Sequence, residues 1–81
     1  MNLRKSPHFI RSYNKAPILV QQKFIKQSLL LLQNLRHPSL HAKKYDEAQD
    51  VWQARVTGAW RFYFSIHGDT YRLHEIKAHP K

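Results

Sequence analysis

Cysteine is missing from the chain altogether, which excludes a disulfide framework and any thiolate metal site. Long apolar runs are missing too. The longest, Leu29 to Leu32, is four residues, far short of the roughly 18 that a membrane helix needs. No apolar h-region of a signal peptide stands near Met1. These absences lead to the expectation of a soluble, cytoplasmic protein with no membrane partner. The third absence is local. No carboxylate occurs before Asp46, whereas nine lysines and arginines do. From Asp46 onward five acids meet five bases. The whole excess of the +9 net charge therefore lies in the N-terminal half. A cationic surface of that size favours a polyanionic partner, because each neutralised phosphate releases condensed counterions.

What is present reads as one domain of 81 residues, since chains of this size support a single small core. Ser6-Pro7 is a helix start, with a hydroxyl at the cap and proline at the first helical position. A helix over residues 7–15 follows, broken at Ala16-Pro17. Pro17 opens a second helix that runs to about Arg36 and ends before His37-Pro38. On its wheel Ile18, Val20, Phe24, Ile25, Leu29, Leu31, Leu32 and Leu35 form the apolar arc, interrupted by Gln21 and Ser28. Gln27 falls on the polar side, and so do Leu19 and Leu30, which makes those two leucines candidates for covering by a partner.

Residues 38–50 carry no periodic pattern and read as a loop holding Lys43-Lys44-Tyr45-Asp46-Glu47. The period then becomes two. Strands are expected over 51–56, 60–66 and 70–78, joined by turns at Thr57-Gly58 and His67-Gly68-Asp69. The fold class is α+β, two N-terminal helices on one face of an antiparallel sheet that ends in a three-stranded meander. Trp52, Ala54, Val56, Trp60, Phe62, Phe64 and Ile66 are expected to face the helices. Gln53, Arg55, Arg61 and Tyr63 are expected on an exposed opposite face. In the last strand Tyr71, Leu73 and Glu75 alternate against Arg72, His74 and Ile76. The six histidines show no helical i, i+4 pair, since His37 and His41 span Pro38, so neither a metal nor a cofactor is expected.

The segment from Trp52 to Phe64, with Arg55 before the turn and Trp60-Arg61-Phe62-Tyr63 after it, resembles the signature of RelE/ParE-superfamily toxins. The strand from Tyr71 to Ala78-His79-Pro80-Lys81 is similar to that family's terminal strand. The resemblance covers nearly the whole chain. It implies the toxin of a type II toxin–antitoxin pair, a ribosome-associated endoribonuclease acting on mRNA, partnered by an acidic antitoxin. Position by position, it makes Arg55 and Arg61 the sheet cations and His79 a catalytic histidine of the YoeB-like branch. Lys81 matches the terminal cation of the RelE-like branch. Lys43, Lys44 and Tyr63 are candidate RNA contacts, and Leu19 and Leu30 candidate antitoxin contacts. Pro80 stands where the YoeB-like branch has tyrosine, and Gln53 where RelE-like members carry lysine. These departures keep two alternatives open. One is a ParE-like inhibitor that binds DNA gyrase without RNase chemistry. The other is a non-toxic member that binds only antitoxin or nucleic acid.

Overall fold

The computed structural model describes residues 1–79. The chain forms strand β1 (Asn2–Lys5), helix α1 (Pro7–Lys15), helix α2 (Ile18–Gln33), a short 3-10 turn (Pro38–Leu40) and strands β2 (Lys43–Asp46), β3 (Val51–Arg55), β4 (Trp60–His67) and β5 (Thr70–Ala78). The strands make one sheet in the order β1-β5-β4-β3-β2. The meander is as expected, but the sheet has five strands and is mixed, because β1 pairs parallel with β5. The Lys43–Asp46 segment, expected as loop, pairs antiparallel with β3.

Local chemistry sets the helix boundaries. Ser6 Oγ accepts the Phe9 N–H at 3.0 Å, capping α1 where Pro7 needs no partner. Both helices pack on one face of the sheet. Phe24 of α2 meets Phe9 of α1 and Phe62 of β4, each at 5.2 Å between ring centroids. Leu31, Leu40, Ala54, Val56, Phe64 and Leu73 complete the centre of this core.

α2 is rotated from its expected orientation. Val20, Phe24, Gln27, Ser28 and Leu31 are its buried residues, while Ile18, Ile25 and Leu29 are exposed. Gln27 explains the rotation. Its amide donates to the Ser39 carbonyl at 3.2 Å and to the Arg55 carbonyl at 2.9 Å, tying helix, turn and β3 together where an apolar residue would leave carbonyls unmet. Alternation in β5 is also corrected. A bulge beside Tyr63 and Phe64 skips His74, so that Phe62 opposes Ile76 and Phe64 opposes Leu73. Tyr71, Leu73 and Ile76 therefore all enter the core. Ser12 Oγ accepts the Ile76 N–H at 3.1 Å and holds the displaced strand to α1.

A cationic cleft on the face away from the helices

The sheet face opposite the helices is not the uniformly exposed surface that alternation predicts. Its centre is closed by its own side chains. Tyr63 is buried under Tyr45, whose ring lies edge-on at 4.8 Å, and under the Lys77 ammonium, 5.2 Å from the ring centroid. Burial pushes the Tyr63 phenol up from its usual value, against the opposing pull of Lys77. The phenol is neutral at physiological pH.

Beside this layer lies a cleft of about 650 Å³. Four of its walls are cationic residues, Lys43, Lys44, Arg55 and Arg61, and two are histidines, His41 and His79. No carboxylate lines it among the described residues. Arg55 and Arg61 are registered opposite each other on β3 and β4. Their settings differ. Arg61 Nη1 donates to the carbonyls of Thr57 at 2.7 Å, Gly58 at 3.1 Å and Trp60 at 3.1 Å. That grip closes the β3–β4 turn with one nitrogen, and among the described residues Nε and Nη2 have no hydrogen-bond partner. Arg55 Nε is buried without a hydrogen-bond partner among the described residues. His79 reaches the cleft because its backbone N–H donates to the Ala59 carbonyl at 2.7 Å, which lays the end of β5 against the turn.

The structure thus brings together Arg55, Arg61, His79 and Lys43 around one cavity; Lys44 also lines it, but its ammonium turns to the side of Trp52, which packs against the core. Lys44 is the constrained member. Its ammonium pairs with Asp50 and sits 5.4 Å over the Trp52 ring, and Asp50 holds its pKa above the usual lysine value. Tyr63 lies under the neighbouring layer and does not line the cleft. Lys81 is outside the described residues. Leu19 and Leu30 do not form a shared patch: Leu19 is 74% exposed, but Leu30 packs against the core. Sequence reasoning missed His41 and Tyr45. His41 has a left-handed backbone, φ 47°, following the 3-10 turn, a conformation uncommon outside glycine and asparagine. The Pro38-Ser39-Leu40 turn before it was the available signal.

No family model and no curated protein sequence matches the chain. Solved structures do. A YoeB/ParE toxin from Agrobacterium tumefaciens superposes with a TM-score of 0.81 at 13% identity, over 99% of this chain and 100% of that one. A chain of the heterotetrameric YoeB-YefM toxin–antitoxin complex from Staphylococcus aureus gives 0.77 at 13% identity, over 99% and 98%. The isolated E. coli RelE toxin gives 0.76 at 11% identity, over 99% and 85%. The two-helix, mixed-sheet α+β fold of this chain is the one found in these solved YoeB/ParE and RelE toxins.

Proposed function

We propose that the chain is the toxin of a toxin–antitoxin pair and that it cuts mRNA, on the ribosome, in the cationic cleft. The observation that carries this reading is the registered Arg55–Arg61 pair in a cleft lined by two histidines and no acid. RNA brings its own nucleophile. Its 2′-oxygen attacks the adjacent phosphorus, the bond to the 5′-oxygen breaks, and a 2′,3′-cyclic phosphate and a 5′-hydroxyl result. The step requires a group to take the 2′ proton, cations for the phosphorane charge, and an acid for the leaving oxygen. Arginine suits the middle task, because its planar fork donates two bonds at once and stays charged. His79 and His41 are the cleft's proton-transfer candidates, as a neutral imidazole carries one nitrogen that accepts a proton and one that donates. Lys43, exposed on β2, supplies a further cation for the strand.

The partner on this reading is an acidic antitoxin. Ile18, Leu19, Ile25 and Leu29, all more than half exposed on α2, offer apolar anchors on the cationic half of the chain, and a disordered acidic segment meets both features. The test is expression in cells together with ribosome-programmed cleavage in vitro. Cut transcripts and arrested translation are expected. Filamentation and an SOS response with intact transcripts would instead identify a gyrase inhibitor, and no effect of either kind a non-toxic binder.

A further inference from the structure

A second cluster lies on the same sheet face, toward the opposite end of β4. Arg4 on β1 and Arg72 on β5 are registered neighbours. With His67 and Thr70 they line a depression of about 240 Å³. Like charges side by side on adjacent strands repel; the two backbones pair in the sheet, but neither guanidinium has a hydrogen bond or ion pair to another described residue. The nearest acid in sequence, Asp69, does not line the depression; its carboxylate accepts from Thr70 Oγ1 at 3.1 Å.

His67 is held in place from below. Ser65 Oγ lies 2.8 Å from His67 Nε2 and 2.8 Å from His74 Nε2, and Ser65 is buried. One hydroxyl carries one proton. It can therefore donate to only one imidazole and must accept from the other. Burial keeps the His74 imidazole below its usual pKa, helped by Arg72 and His67, which suits His74 to be the acceptor. His67 is then the donor through Nε2, and its Nδ1 faces whatever enters the depression, accepting while the ring is neutral and donating to an anion when the ring is protonated.

We propose that Arg4, Arg72 and His67 form a second phosphate-binding site, separate from the cleft. Resting on the functional reading above, it holds the backbone of the same RNA strand several nucleotides from the bond that is cut. His67 stands six residues beyond Arg61 on β4, about 20 Å at the rise of an extended strand. The Tyr45–Tyr63–Lys77 layer lies between the two sites, so a strand that touches both must cross it.

The experiment compares wild type with Arg4→Gln/Arg72→Gln, after a thermal melt confirms that both fold. Binding is measured by fluorescence anisotropy for a trinucleotide and for a single strand of about 12 nucleotides. The longer strand should bind the variant roughly tenfold more weakly, with its salt slope lower by about 1–2, while the trinucleotide binds both proteins alike. Equal affinity of the two proteins for the longer strand, or equal loss for both strands, would overturn the proposal. Inorganic phosphate, followed at the His67 ring resonances by NMR at about pH 6, separates this from failure of the RNase reading. If wild type binds neither strand, the RNA reading fails. A phosphate-dependent His67 shift that disappears in the variant then still supports the anion site. No shift in wild type, or the same shift in both proteins, removes it.

Discussion

Arg55 and Arg61 oppose each other across β3 and β4, a position that sheets ordinarily give to opposite charges or to apolar side chains. The two are not equivalent. Arg61 is tied by three backbone carbonyls around the Thr57–Trp60 turn, whereas Arg55 keeps a buried Nε–H that meets no acceptor among the described residues. One arginine therefore supports the fold as it faces the cleft, and the other detracts from it.

Arg61→Ala should lose on the order of 10²–10³ in cleavage rate, the scale of removing one preorganised donor. It should also lose about 1–2 kcal/mol of stability, since the turn carbonyls lose a charged donor. Alternation alone treats Arg61 as a free surface cation, with a stability change below about 0.5 kcal/mol; a melt indistinguishable from wild type would return it to that role. Arg61→Lys should recover part of the rate and part of the stability.

Arg55→Met should move activity and stability in opposite directions. The stem is replaced by a flexible apolar chain, and the unmet N–H, which costs about 1–3 kcal/mol, disappears. Tm should rise by about 4 °C or more for a domain of this size, while cleavage falls sharply. A lowered Tm would mean that the Arg55 side chain is satisfied after all, for instance by ordered water.

Acid should weaken the fold through His74. Burial first, and then Arg72 and His67, hold its imidazole below the usual value, so the unfolded chain binds a proton there that the folded chain refuses. Stability is full above about pH 6.5, falls as pH drops below that unfolded value, and levels off below the folded one. His74→Gln removes this contribution. Urea midpoints of the variant at about pH 7.5 and pH 5.5 should lie closer together than those of wild type. An unchanged gap would show that other groups set the acid response.

Along α2, Leu19→Glu, Ile25→Glu and Leu29→Glu should each change stability by less than about 0.5 kcal/mol, as expected of exposed positions. If the chain is the toxin proposed above, the three together should abolish co-purification with its co-expressed antitoxin. Leu30→Glu should behave differently and lower Tm, because that side chain packs against the core. Unchanged capture of the antitoxin by the triple variant would place its anchors elsewhere.

The parts of this fold legible in the sequence are those fixed by neighbours in the chain. Ser6-Pro7 starts α1 and Ala16-Pro17 ends it, and Gly68, at φ 60°, supplies the left-handed turn that joins β4 to β5. Distant contacts decide the rest. β1 is four residues with one inward apolar side chain, Leu3, and becomes a strand because β5 accepts it. The apolar arc of α2 is wider than the core can take, and a polar residue, Gln27, decides which side turns inward by satisfying two carbonyls from other elements. At the candidate site, the Arg55–Arg61 face followed from alternation. The burial of Tyr63 did not, because Tyr45 and Lys77 close over it from strands on either side.

The pairing of β1 with β5 also sets an order of events during synthesis. Asn2 and Ser6 bond to the backbone of Asp69 and Leu73, so β1 has no place to dock until β5 has been made. Contacts of such long sequence separation form late. Arg4 stays apart from Arg72, and the turn at Ala59 lacks His79, until β5 has left the exit tunnel. Until then the nascent chain carries Arg4 and its other early cations on a segment that has not joined the sheet.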